Sequence, residues 1–129
     1  MIYTSAFWMP KVKALVNDGS AVAVGITLFP PRSAEDKYGY KLTDNIRSLA
    51  PDYKTFGIDD LEKFRTPFRH LLHKRQYHIF ERLAQIAVEN EGKDIILLCF
   101  DPIGKEGQWC HRQLVMEWLN EKEVTCTEL

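Results

Sequence analysis

The sequence lacks several features that would place it in a class of protein at once. Its 129 residues contain no run of about 18 apolar residues, so no membrane-spanning helix is expected. The opening stretch "MIYTSAFWMPKVK" lacks a basic segment followed by an apolar one, so no export signal is expected. The 17 Lys and Arg and 18 Asp and Glu give a net charge of −1, which excludes a global field that attracts nucleic acid.

Cysteine is also scarce. The three cysteines are an odd number and lack the spacing of a disulfide scaffold. Since no export signal accompanies them, the sequence predicts free thiols in a reducing compartment, and therefore a cytoplasmic protein.

The residues that are present predict one α/β domain over residues 1–129. The chain is 45% hydrophobic and 27% charged, as folded domains are. Strands are predicted over residues 2–5, 21–29 and 94–100, with an edge strand in 123–129, and helices over 9–19, 60–75, 76–90 and 110–122. Because strands alternate with helices and the two central strands are apolar throughout, a Rossmann-like domain is expected, in which helices flank a small, mostly parallel sheet.

More detailed predictions can be made for two of the helices and for one long connection. Pro67 lies inside the first long helix and is expected to break or kink it. The apolar stripe of the second is predicted to comprise Tyr77, Phe80, Leu83, Ala84, Ala87 and Val88. Residues 30–57 are heavily punctuated by Pro and Gly, which favours a long functional loop or lid.

Candidate site residues follow the ends of the predicted strands. In parallel sheets, ligands bind beyond the carboxyl ends of the strands. We therefore expect one rim of the sheet to bring together Thr4, Ser5, Cys99, Asp101, Cys110, His111 and Arg112.

"CHR" at 110–112 opens the last predicted helix. The free amides and positive dipole of a helix start favour a thiolate at Cys110, which we expect to be partly exposed. Arg112 offers a planar fork that suits phosphate or carboxylate, and Lys105 lies in a glycine-containing loop that would let backbone amides approach an anion. The pattern favours an anion or polar-ligand site. It leaves open cysteine catalysis, and also a structural role for a buried Cys110 and a salt-bridged Arg112.

Neighbouring residues add further alternatives. Cys99 would be a buried apolar residue, a redox disulfide partner of Cys110, or one of three metal ligands with Cys110 and His111, but no fourth ligand is visible and no metal is assigned. Asp101 would orient His111 or Arg112, act as a general base, or remain a solvated loop acid. Tyr38 would stack on a planar ligand or pack within its own loop.

Residues 63–78 form the only basic cluster. Lys and Arg side chains alternate there with Phe64, Phe68 and Tyr77, a combination that nucleic-acid surfaces share. However, the aromatic residues fall on the predicted core stripe, so a solvated helix face is the simpler interpretation.

The segments "ILLCFDP" (96–102) and "CHRQLVMEWLNEK" (110–122) resemble the hallmark of the domain-of-unknown-function family numbered 488. That hallmark is an apolar strand ending in Cys and an acidic residue, then a loop, then Cys-His-Arg opening a helix. "IYTS" at 2–5 and "LAPDYKTF" at 49–56 are similar to other family features, so the resemblance covers nearly the whole chain. It implies a compact Rossmann-like α/β domain and a site, but no reaction.

The chain departs from the family pattern in two places. The loop before Cys110 is longer and richer in glycine. A basic residue commonly follows the second strand in the family, whereas Leu28 and Phe29 stand here. Arg32 is the nearest replacement and is included among the ligand-binding candidates for that reason.

The sequence as a whole predicts a protein that binds a nucleotide-like or phosphorylated ligand at the rim. Cys110, His111 and Asp101 are the candidate catalytic groups, and no cofactor is specified. Whether the ligand is processed stays open, because a catalytic role requires a turnover that Cys110→Ser removes. The alternative is a non-enzymatic module that contacts nucleic acid or a protein partner through residues 63–78 and 30–57.

Overall fold

The computed structural model describes every residue from Met1 to Leu129. In chain order its elements are β1 (Ile2–Ala6), α1 (Pro10–Asn17), β2 (Ala21–Gly25), α2 (Ala34–Tyr38), β3 (Leu42–Asn45), a 3-10 turn (Arg47–Leu49), α3 (Tyr53–Phe56), α4 (Leu61–Lys74), α5 (Gln76–Glu89), β4 (Asp94–Cys99), α6 (His111–Glu121) and β5 (Cys126–Glu128).

The five strands form one sheet in the order β3-β2-β4-β1-β5, and every neighbouring pair is parallel. The α/β class and the parallel sheet between helices are confirmed. The central strands β2 and β4 are buried on both faces, as their unbroken apolar sequences predicted. No helix of the chain is both long and apolar enough to cross a membrane.

Side chains alternate between the two faces of the sheet. On one face, Ile95, Leu97 and Cys99 of β4 belong to the larger core, which α4, α5 and α6 cover. On the other face, Ile96 and Leu98 join the smaller core beneath α1. The candidate site lies on the side of the larger core.

The predicted stripe of α5 is wrong in register. The helix buries Ile79, Leu83 and Ile86, whereas Tyr77 and Val88 are 86% and 78% exposed. The predicted stripe members Ala84 and Ala87 are exposed as well, and only Leu83 is buried as predicted, with Phe80 half-buried. Two apolar stripes share this sequence, and packing in the larger core selects the one that contains Ile79, Leu83 and Ile86.

Helix α4 continues across Pro67, so the expected break is wrong, while a kink stays a prediction. Of the stripe that the helical spacing predicts, Phe64, Phe68 and Leu72 are buried and Leu71 is half-buried. Proline removes one backbone donor from a helix. The contacts of the buried stripe with the core keep the helix continuous through that loss.

Residues 30–57 are not one long loop. They contain α2, β3, the 3-10 turn and α3, and β3 pairs with β2 as the edge strand of the sheet. Strand β2 ends at Gly25 rather than at residue 29. At Gly25 a Cβ atom would collide with the side chain of Asn45, so glycine permits the close approach of β3.

Candidate functional site

The start of α6 lies where the sequence predicted it. Cys110 is the residue that precedes the first helical turn, and its backbone N–H donates to the Oε1 atom of Gln113 at 2.9 Å. The extended backbone of Cys110 turns its side chain toward β4. The helix start therefore brings Cys110 and His111 to the end of the strand that carries Cys99.

Cys99 and Cys110 form a disulfide bond. The expectation of free thiols is therefore wrong for this pair and holds only for Cys126, which is buried on β5. Cys110 is fully buried, so its expected partial exposure is also wrong. Burial raises the pKa of the Cys126 thiol to about 12.

The imidazole of His111 bridges the disulfide and strand β2. Its Nε2 atom is 2.6 Å from the carbonyl oxygen of Ile26, which can only accept, so Nε2 carries the proton. Burial, opposed by that hydrogen bond and assisted by the charge of Arg112, lowers the pKa of His111 to about 4. The ring is therefore neutral near pH 7, and the lone pair of Nδ1 lies 3.4 Å from the Cys99 sulfur and 3.8 Å from the Cys110 sulfur.

Arg112 is buried and held by protein acceptors. Its Nε atom donates to both carboxylate oxygens of Glu128 at 3.2 Å, and its Nη1 atom donates to the carbonyl oxygen of Asp101. The Thr4 hydroxyl donates to the same Glu128 carboxylate at 2.6 Å. This network ties the loop after β4 to the edge strand β5. Glu128 neutralises the positive charge of Arg112, which the sequence predicted to bind an anionic ligand.

A cavity of about 160 Å³ opens beside the disulfide. Its walls are mainly apolar and aromatic, and the lining residues are Thr27, Leu28, Phe29, Pro51, Phe56, Ile58, Phe64, Cys99, Phe100, Asp101, Trp109 and His111. We call it the aromatic pocket. Cys99 and His111 line it and Cys110 does not, so Cys99 is the cysteine of the pair that borders the pocket.

The walls of the aromatic pocket are held at several points. The indole N–H of Trp109 donates to the carbonyl oxygen of Asp59 at 2.9 Å. The exposed rings of Phe29 and Phe56 meet edge to face, with centroids 6.0 Å apart. Sequence reasoning missed these wall residues. For Phe29 and Trp109 the only signal was their position in the loops that follow β2 and precede Cys110, and for Phe56, the last residue of α3, there was none.

The polar groups of the pocket are few. The hydroxyl of Thr27 is buried and has no hydrogen-bond partner. The carboxylate of Asp101 lies at the exposed rim, and no Lys or Arg side chain lines the cavity. The pocket therefore suits a small apolar or aromatic molecule with one polar group, rather than a phosphate.

Five of the predicted rim residues lie together: Cys99, Asp101, Cys110, His111 and Arg112. Thr4 joins them through Glu128. Ser5 does not, because strand alternation turns it to the face under α1.

The other predicted ligand residues lie apart from this group. Tyr38 stacks on Phe7, with ring centroids 5.7 Å apart, and packs against the core beneath α1. Arg32 and Lys105 are exposed in loops and do not line the aromatic pocket.

Two of the five Lys and Arg side chains in residues 63–78 pair with carboxylates of α6. Arg65 pairs with Glu117 at 2.8 Å and Arg69 with Glu121 at 2.6 Å. Arg75 donates to the backbone carbonyl oxygens of Ser48 and Ala50. Phe64 and Phe68 are core residues, so their rings are not available to stack on bases. Tyr77 is 86% exposed, so its predicted place on the core stripe is wrong.

The fold and the site define a class of protein: a parallel α/β protein whose aromatic pocket contains a disulfide and a neutral histidine at the strand ends. Comparisons of the chain with family models, curated proteins and solved structures find no match. The resemblance to the family numbered 488 therefore stays a prediction.

Proposed function

We propose that this protein carries out thiol–disulfide exchange with a thiol on a small apolar or aromatic molecule bound in the aromatic pocket. The observation that carries the proposal is the position of the Cys99–Cys110 disulfide, whose Cys99 residue lines the cavity. The proposal keeps the strand-end site that the sequence predicted. It changes the ligand, because Arg112 is bound by Glu128 and the lining contains no cation for a phosphate.

Access decides which sulfur reacts. Both cysteines are buried, but Cys99 is 3% exposed and lines the pocket, whereas Cys110 is 0% exposed and does not. The incoming thiolate therefore attacks the Cys99 sulfur. The leaving thiolate is then Cys110, which precedes the first turn of α6. The positive end of a helix stabilises a thiolate there and makes it a better leaving group.

The exchange is balanced in two steps. The bound thiolate forms a bond to the Cys99 sulfur, the Cys99–Cys110 bond breaks, and the electron pair stays on Cys110. A second thiolate then attacks the substrate sulfur of the mixed disulfide and releases Cys99. The two substrate thiols lose two electrons in total to become a disulfide, and the protein gains them as a dithiol.

Nδ1 of His111 lies within 3.8 Å of both sulfurs, so it is placed to accept the thiol protons in hydrogen bonds. The Nε2–H bond to Ile26 fixes the ring in this orientation. His111 thereby serves as a positioning residue and hydrogen-bond acceptor for the dithiol form.

The test compares two thiols of opposite character at equal thiolate concentration. Benzyl mercaptan is neutral and aromatic, and 2-mercaptoethanesulfonate is anionic. Reduction of the disulfide is followed by alkylation and intact mass. We expect benzyl mercaptan to react about tenfold faster, since burying roughly 60 Å² of apolar area contributes about 1.5 kcal/mol.

Matched variants test whether the preference for benzyl mercaptan arises in the aromatic pocket. All are made in a Cys126→Ser background, which leaves only the reactive pair. Phe56→Ala removes an exposed pocket wall and should abolish most of the preference, whereas Tyr77→Ala removes another exposed ring, on α5 and away from the pocket, and should leave the preference intact. Equal rates for the two thiols in the parent protein would contradict the proposal.

A further inference from the structure

The reduced form of the site resembles the ligand set of a metal centre. We infer that the dithiol binds a thiophilic divalent cation such as Zn²⁺ through the sulfurs of Cys99 and Cys110 and the Nδ1 atom of His111. This inference goes beyond the thiol exchange proposed above. It does not rest on it, because metal binding needs no thiol substrate.

The distances around His111 already fit such a centre. Zinc–sulfur bonds of about 2.3 Å and zinc–nitrogen bonds of about 2.05 Å at tetrahedral angles place sulfur and nitrogen about 3.6 Å apart. The observed distances from Nδ1 to the two sulfurs are 3.4 and 3.8 Å. The three ligand atoms all lie within 4.8 Å of one another.

Only the two sulfurs must move when the metal binds. Two thiolates on one zinc lie about 3.8 Å apart. The Cα atoms of Cys99 and Cys110 are 7.4 Å apart, beyond the range of about 4.4 to 6.8 Å that is usual for disulfides. The backbones therefore give the sulfurs room to separate once the bond is reduced.

The tautomer of His111 is the one that such a centre needs. Metal-binding histidines usually donate the other ring N–H to a carboxylate or a backbone carbonyl, which fixes the ring. Here Nε2 donates to the carbonyl oxygen of Ile26, and the Nδ1 lone pair is left facing both sulfurs. A neutral, buried imidazole is a ligand without the cost of deprotonation.

The fourth position would face the aromatic pocket. Cys99 and His111 both line that cavity, and it also contains the buried, unpartnered hydroxyl of Thr27. Three protein ligands with an open fourth position are typical of catalytic rather than structural zinc sites. The open position is thus available to water or to a donor atom of a bound molecule.

Metal binding and the disulfide exclude each other. Reduction by two external thiols, which become a disulfide, gives two Cys thiols. These release two protons when their thiolates bind the cation. Oxidation of the pair by an external disulfide, which is reduced to two thiols, takes both sulfurs from the metal and releases it. The site is therefore a redox-controlled metal site.

The test titrates Co²⁺ and then Zn²⁺ into the reduced and the disulfide-bonded protein under argon. For the reduced form we expect one equivalent of Co²⁺, a sulfur-to-cobalt charge-transfer band and the intense visible bands of tetrahedral cobalt, displaced by one equivalent of Zn²⁺. The disulfide-bonded form should bind neither. Absence of the charge-transfer band in the folded, reduced protein would overturn the inference.

Variants assign the ligands. Cys99→Ser, Cys110→Ser and His111→Gln should each weaken Zn²⁺ binding by about 100-fold or more, given that second-shell changes alone cost 10- to 100-fold. Two controls should keep the single site: Cys126→Ser, and the paired change His70→Gln and His73→Gln at two exposed positions of α4. Circular dichroism verifies folding, and X-ray absorption on the bound cobalt counts two sulfur ligands in the parent protein. Loss of binding in the control variants, or its retention in both cysteine variants, would refute the assignment.

Discussion

At the scale of single residues, the buried histidine shows how one hydrogen bond sets a site. His111 is nearly inaccessible, donates from Nε2 to Ile26 and is neutral in the folded protein. Its ring therefore presents an unprotonated nitrogen to two sulfurs at neutral pH. This arrangement has a consequence for stability that can be measured apart from any ligand.

The pKa of His111 is about 4 in the folded state and near 6.5 in an unfolded chain. Between these values the unfolded chain binds a proton that the folded protein does not, so the free energy of unfolding falls as the pH falls. The loss begins near pH 6.5 and amounts to about 1.4 kcal/mol per pH unit. We expect urea unfolding of the disulfide-bonded protein at pH 7, 6 and 5 to show this slope in excess of that of His111→Gln.

The control for this prediction is His70→Gln, which removes an exposed imidazole from α4 and should keep the slope of the parent protein. A His111→Gln variant with the same pH dependence as the parent between pH 5 and 7 would mean that His111 titrates normally in the fold. The carboxylates are the same in the parent protein and in His111→Gln, so their contribution to the pH dependence cancels in the comparison.

The residue scale is also where sequence reasoning was incomplete. Cys99, Cys110 and His111 were identified as a group, but the spacing left a disulfide and a metal site open beside the favoured role of Cys99 as a buried apolar residue. Glu128 was missed, because nothing in the local sequence links it to Thr4 or Arg112, and only the pairing of β5 with β1 brings it there. Likewise, the pairing of Arg112 with Glu128 depends on a contact between separate elements.

At the scale of elements, the edge strand β3 supports the loop that carries Ile26 and Thr27. The Asn45 side chain accepts from the Thr27 N–H at 3.3 Å and donates to the Thr27 carbonyl oxygen at 3.0 Å. It thus continues the β2–β3 ladder by one residue after β2 has ended. Because Ile26 holds His111 and Thr27 lines the pocket, an edge strand outside the site positions two of its parts.

Removing that side chain should loosen the pocket. We expect Asn45→Ala to lower the free energy of unfolding by about 1–3 kcal/mol, because it leaves partly buried backbone groups without partners. Hydrogen exchange at the Thr27 amide should accelerate. Asn90→Ala is the matched control, since it removes a side-chain bond to the Ile86 carbonyl at the end of α5 and should leave Thr27 protected. Unchanged protection of Thr27 in Asn45→Ala would contradict this role.

Most elements, but not all, could be read from the sequence. Strands β1, β2 and β4 are short apolar runs bounded by turns, and α6 begins at a recognisable boundary, so local pattern suffices. Strand β3 has the polar sequence "LTDN" at a sheet edge, and its place is fixed by pairing with β2. In α5 the candidates Tyr77 and Ile79 are both apolar, and only contact with the sheet decides which is buried.

At the scale of the whole molecule, the parallel sheet brings distant segments to one rim. Cys99 ends β4, Cys110 precedes α6 in the same connection, and the Ile26 carbonyl follows β2, so two separate connections meet at His111. The disulfide links the end of the sheet to the start of α6 across a loop with a sequence separation of 11. Its redox state therefore bears on the stability of the entire fold.

The Cys99–Cys110 disulfide should stabilise the folded protein. In the chain-entropy model, a disulfide closing a loop of this length stabilises the folded state by about 3 kcal/mol, because it restricts the unfolded chain. We expect urea unfolding to show that the free energy of unfolding of the reduced protein, with metal removed by a chelator, is lower by this amount. Cys126→Ser should keep the full difference between its two redox states. The Cys99→Ser and Cys110→Ser variants should be as unstable as the reduced parent and insensitive to reductant. If the oxidised and reduced forms of the parent unfold together, the Cys99–Cys110 bond does not restrain the unfolded chain and the predicted coupling between redox state and stability is absent.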